Sequence, residues 1–112
     1  MATKQYKTGE VIFYEKDAAN CMYDIYWGKV GIFSDYGGKN QRLLTELEDD
    51  AFFGEMGLIN AEPRSATAVA LEDTQLEEIS EEEFSAYFRD KPMRVLMIMR
   101  QMGRRIRELS QS

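Results

Sequence analysis

Phe52-Phe53-Gly54-Glu55-Met56-Gly57-Leu58-Ile59-Asn60-Ala61-Glu62-Pro63-Arg64-Ser65-Ala66-Thr67-Ala68-Val69-Ala70 is the most informative stretch of this 112-residue chain. Two aromatic residues of high β propensity run into a glycine. The short apolar piece from Gly54 to Ile59 suits one or two helical turns. Pro63 marks a turn, and Arg64 stands at the mouth of a second β-prone run, Ser65 to Ala70. The first N–H groups of a helical turn lack intrahelical partners and favour an anion. Gly54 and Gly57 leave no side chain to block its approach. The planar fork of Arg64 matches a phosphate, and an ionised Glu55, which only accepts hydrogen bonds, suits a ligand hydroxyl.

Outward from this stretch the chain reads as short strands divided by turn signals. Val11–Tyr14, Met22–Trp27, Val30–Phe33, the Leu43/Leu44/Leu47 segment, Phe52–Phe53, Ser65–Ala70 and Leu76–Ile79 recur with no long helix between them. Such spacing predicts an antiparallel sandwich or barrel. Gly37-Gly38 within Asp35–Asn40 predicts a hairpin turn. After residue 80 the period becomes helical. Ser80 and Glu83 form a capping box, Phe84, Tyr87 and Phe88 share one face, and Pro92 suits the first turn of a second helix. There Val95, Met99, Met102, Ile106 and Leu109 make a heptad-like seam. The aromatic residues Phe52, Phe53, Phe84, Tyr87 and Phe88 are expected in the core, Cys21 as a small buried hydrophobe, and Asp17 and Asp24 facing solvent.

Composition narrows the chemistry. A net charge of -6 disfavours a nucleic-acid partner. The charge is divided: residues 1–90 carry -11 and residues 91–112 carry +5. Without histidine, Ser-His-Asp and Cys-His catalysis are excluded, as are the common histidine zinc sites. No catalytic or metal constellation is expected. One cysteine cannot form an intrachain disulfide, and neither a secretory signal nor a membrane span is evident, so a cytoplasmic location is expected.

The 52–70 segment, with Phe-Gly-Glu followed by Pro-Arg-Ser-Ala-Thr, resembles the phosphate-binding cassette of cyclic nucleotide-binding domains. Catabolite activator proteins and regulatory subunits of cyclic-AMP-dependent kinases carry this domain. The likeness extends over Gly9–Phe13, Met22–Ile25 and Gly28–Val30 to the last helix. It implies a mainly β fold: an eight-stranded antiparallel β-roll, or double-stranded jelly roll, over about residues 4–80. Helices would follow at about 81–89 and 92–110, all within a single domain 1–112. It also implies a ligand, cAMP or cGMP, and no further cofactor. Glu55 would hold the ribose 2′-hydroxyl and Arg64 the cyclic phosphate. Amides near Gly54, Met56, Gly57 and Ala66 would complete the cradle, with Ser65 able to touch the phosphate. Leu44, Thr45, Leu109 and Ser110 are possible base contacts. The family often places glycine at the turn positions where this chain has Lys16 and Asp50.

These readings combine into a stand-alone, bacterial-type regulatory module that binds cAMP more readily than cGMP and does not turn it over. Its partners would be the nucleotide, a second copy through the last helix, and an unknown output protein, with neither nucleic acid nor membrane. Glu55 and Arg64 are expected on a surface-facing turn. The rival reading is a ligand-independent dimerisation or interaction module with a degenerate pocket, in which Glu55 and Arg64 form a structural salt bridge.

Overall fold

The computed structural model describes residues 2–60 and 62–111, and the side chains of these except 59, 60 and 105–111. Residues 1–81 and 82–112 form two compact units.

The first unit is two four-stranded sheets of antiparallel strands. In chain order the strands are β1 (Ala2–Tyr6), β2 (Val11–Phe13), β3 (Cys21–Trp27), β4 (Val30–Ser34), β5 (Arg42–Leu47) and β6 (Phe52–Phe53). The helix α1 (Glu55–Asn60) follows, then β7 (Thr67–Ala70) and β8 (Thr74–Ser80). One sheet has the order β1-β8-β3-β6, the other β2-β7-β4-β5. This is the expected eight-stranded β-roll. Side chains alternate across a strand, so Cys21, Tyr23 and Ile25 of β3 point one way. They join Val30, Phe53, Ala68 and Leu76 in the buried core. Phe13, Tyr23 and Phe53 bring their rings within 4.9–6.0 Å of one another there.

One strand has no counterpart in the sequence reading, and two residues lie otherwise than expected. No apolar run announces β1, whose first four residues are exposed. It is an edge strand, paired with β8 from Ala2↔Glu78 to Tyr6↔Thr74 and joined to it by a Lys4–Glu78 ion pair at 2.8 Å. An edge that keeps its side chains in water has no reason to alternate. Asp24, expected in solvent, is only 4 % exposed. It lies on β3, an interior strand between β8 and β6 whose first five residues are all buried, and it sits opposite Glu77, which is also buried. Phe88, expected in the core, is 50 % exposed.

The second unit holds α2 (Glu81–Asp90), apart from its first residue, and α3 (Pro92–Gln111). Ser80 immediately precedes α2, as the capping box requires. Tyr87 is the buried aromatic of this helix, stacked on Phe84 and capped by the Lys91 ammonium 5.5 Å from its ring. Phe88, one residue on, is rotated about 100° away from that face. On α3 the buried stripe runs from Val95 to Ile98, whereas Met99 is 60 % exposed. The predicted seam thus divides at its second position; the side chains of Ile106 and Leu109 lie outside the described residues.

Lys16 and Asp50 both adopt left-handed backbone, with φ of 76° and 66°. The turns therefore keep a glycine-like conformation without glycine. That conformation costs an L-residue about 1–2 kcal/mol, and glycine's greater freedom in the unfolded chain offsets about 0.4–1 kcal/mol of the relief. Lys16→Gly and Asp50→Gly should each raise stability by roughly 0.5–1 kcal/mol. Urea unfolding checks this; a loss in either variant would contradict it.

Candidate anion-binding site

β6 delivers the chain to Gly54, which takes φ +76°. A Cβ there would lie 2.7 Å from the Arg64 Nη1 and 3.3 Å from the Tyr23 ring, so both the conformation and the space call for glycine. One helical turn later, a Cβ at Gly57 would collide with the Ala19 side chain and crowd the same Nη1 at 3.1 Å.

Arg64 arrives from the other side, held by a backbone clasp. The Lys16 N–H donates to the Arg64 carbonyl at 2.7 Å, and the Arg64 N–H donates to the Asp17 carbonyl at 2.9 Å. The left-handed turn at Lys16 is part of this clasp. The guanidinium then reaches inward. Its Nη1 donates to the Gly54 carbonyl at 2.8 Å, and its Nη2 to the Cys21 carbonyl at 2.9 Å and to the Cys21 Sγ at 3.4 Å. The carbon of the fork lies 4.3 Å from the Phe13 ring centroid and 5.6 Å from that of Tyr23. Cation–π contact of this kind offsets part of the cost of burying the charge.

Arg64 is only 6 % exposed, which corrects the surface-facing expectation. Its partners are carbonyls, a thiol and π faces. Among the described residues no carboxylate pairs with it, and its Nε is buried without a hydrogen-bond partner. An Arg64–Glu55 ion pair, which the rival reading allows, is not among the ion pairs of the described residues. Buried charges ordinarily come paired. Arg64 is thus a permanent cation with an Nε–H donor that no acceptor among the described residues takes up.

The structure brings Gly54, Gly57 and Arg64 together. Glu55 follows Gly54 directly, in the first turn of α1, and is 2 % exposed, with partners of its own. Met56 and Ser65 are exposed, and Ala66 is buried at the approach to β7. Leu44 and Thr45 are exposed on β5, at the outer edge of the second sheet, with β4 between them and β7. They are not part of the cluster. The side chains of Leu109 and Ser110 lie outside the described residues. Sequence reasoning missed the supports of Arg64: Phe13, Cys21, Tyr23 and the 16–17 backbone. The available signal was alternation along β3, which aims Cys21 and Tyr23 at the same side.

Tyr23 titrates far above the usual tyrosine value of 10.0, first because of burial and next because of the adjacent Cys21; Arg64 pulls the other way, but less. A raised phenol pKa means that stability is whole below pH 10.0 and is lost as the pH climbs towards the folded-state value. Tyr23→Phe should therefore lose less stability than wild type between about pH 9 and 11. Denaturant midpoints across that range check it, and parallel losses would contradict it.

A family model for the cyclic nucleotide-binding domain matches residues 3–91. The cyclic AMP receptor protein of Thermus thermophilus is 37 % identical over 103 residues, covering 92 % of this chain and 48 % of that protein. The cAMP-dependent protein kinase regulatory subunit of Dictyostelium discoideum is 34 % identical over 71 residues, 63 % of this chain and 22 % of the subunit. The crystal structure of the Thermus thermophilus catabolite activator protein superposes with a TM-score of 0.83 at 35 % identity, covering 97 % of this chain and 51 % of that one. The chain thus spans about half the length, or less, of these relatives. With the β-roll, the glycine-bounded turn and the inward arginine in place, this chain belongs to the cyclic nucleotide-binding domain family.

Proposed function

We propose that this chain binds a purine 3′,5′-cyclic monophosphate, cAMP in preference to cGMP, as a cytoplasmic sensor or regulatory module, and does not turn it over. The observation that carries the reading is the buried Arg64 guanidinium with no carboxylate partner among the described residues and an unused Nε–H. A cyclic phosphate brings one negative charge and two exocyclic oxygens, a match for a planar fork. Glu55 takes the ribose 2′-hydroxyl, and the amides around Met56, Gly57 and Ala66, with the Ser65 hydroxyl, complete the phosphate's contacts. The preference for adenine rests on relatives named for cAMP. Thermal melts with cAMP, cGMP and linear 5′-AMP test the proposal. A ligand confined to the folded state at about 100 times its dissociation constant adds about 2.7 kcal/mol, several degrees for a domain of this size. A rise with cAMP, a smaller one with cGMP and none with 5′-AMP is expected. No rise with either cyclic nucleotide would leave the rival, a ligand-independent interaction module.

Self-association through α3 is a second reading, favoured by its exposed Met93, Leu96, Met97 and Met99. Methionines make adaptable contact surfaces. Sedimentation should show a weak dimer that Met99→Glu disperses; a monomer at every concentration would contradict it.

A further inference from the structure

We propose that Cys21 is a positioning residue for the cyclic phosphate: its buried thiol orients the Nη2 edge of Arg64 without neutralising the charge that the anion needs. This rests on the reading of the Arg64 cluster as the nucleotide site. The guanidinium has five N–H donors. One is taken by the Gly54 carbonyl and one by the Cys21 carbonyl, while Nη2 also lies 3.4 Å from the Cys21 Sγ and Nε has no partner. Residue 21 therefore touches the fork twice, through its backbone and through its side chain. It does so from the first position of β3, where it pairs with Ser80 of β8. A site residue on a strand is held more closely than one on a loop.

The chemistry of sulfur matters here. A thiol is a weak acceptor, so it steadies one N–H and yields readily when a phosphate oxygen competes. A carboxylate at this position would close an ion pair with Arg64 and cancel the attraction for a ligand. A methyl group would leave the Nη2 edge less restrained and a buried donor unsatisfied. Burial of Cys21 fits a positioning role.

The test is calorimetric titration with cAMP of wild type, Cys21→Ala, Cys21→Ser and Cys21→Asp, each with its ligand-free melting temperature. Cys21→Ala should bind about fivefold more weakly. Cys21→Ser, whose hydroxyl still accepts an N–H, should stay within about twofold of wild type. Cys21→Asp should lose at least about a hundredfold while melting no lower than wild type, because its carboxylate gains a buried guanidinium partner. If Cys21→Asp does not fold, the alanine and serine variants decide. Equal affinity in wild type and alanine, or serine as weak as alanine, would overturn the role of Cys21 while leaving the nucleotide site standing. Failure of wild type itself to bind cAMP would overturn both.

Discussion

Arg64→Met is expected to abolish the melting-temperature rise that cAMP produces, while the ligand-free variant stays within about 1 kcal/mol of wild-type stability. The binding loss follows from the number of contacts. Charge-assisted hydrogen bonds contribute about 1.5–3 kcal/mol each. Losing two of them weakens affinity by at least about a hundredfold, at 1.4 kcal/mol per decade. Stability behaves differently because the cation is buried with no carboxylate partner among the described residues. Methionine gives up the bonds to the Gly54 and Cys21 carbonyls. It also removes an unpaired charge and fills the same irregular space beside Phe13 and Tyr23. Arg64→Ala is the contrasting case. It opens a cavity against the two rings and should cost about 2–4 kcal/mol as well as binding. A surface-facing arginine would have tolerated alanine; this one does not. Arg64→Lys should recover only part of the affinity, since an ammonium cannot serve both carbonyls and the phosphate with planar geometry. Methionine and wild-type proteins melting alike with and without cAMP would place the nucleotide elsewhere or nowhere.

Glu55→Gln is expected to separate two ligands that differ by one hydroxyl. If the carboxylate accepts from the ribose 2′-hydroxyl, the variant should bind cAMP about tenfold more weakly. It should bind 2′-deoxy-cAMP within about twofold of wild type, because that ligand has no hydroxyl to lose. Glutamine is the informative replacement because Glu55 is fully enclosed, and a smaller residue would mix a packing defect into the result. Equal losses for both ligands in calorimetry would show that Glu55 shapes the turn and does not contact the ribose.

Parts of this molecule that bury one face of a regular element were legible from the residues. The apolar run Met22–Trp27 marks a strand, and its Tyr23 and Ile25 lie in the core. Gly37, with φ of 81°, turns the β4–β5 hairpin, and the Asp35 carbonyl and carboxylate accept from the Gly38 and Asn40 N–H groups. Positions were misread where burial departs from the period. β1 keeps its side chains in water, Asp24 is buried on a strand enclosed along its first five residues, and Met99 lies beside the buried Val95–Ile98 stripe. At the candidate site, residue types and spacing pointed to Gly54, Gly57 and Arg64, which the fold brings together. They did not disclose the direction of Arg64. That direction comes from three segments distant in sequence: the Phe13 ring, the clasp at Lys16 and Asp17, and the Cys21 carbonyl and thiol. Local spacing carries no record of contacts closed by tertiary structure.

Nuclear magnetic resonance can follow the buried Nε–H of Arg64 directly. In spectra of arginine side chains, one Nε–H resonance of the wild-type protein should be missing from Arg64→Met. On titration with cAMP that same resonance should move with saturating behaviour, as the ligand's charge arrives beside the guanidinium. A protein that saturates with cAMP while this resonance stays fixed, or that shows no saturation at all, would contradict the assignment of Arg64 as the anchor of a cyclic nucleotide.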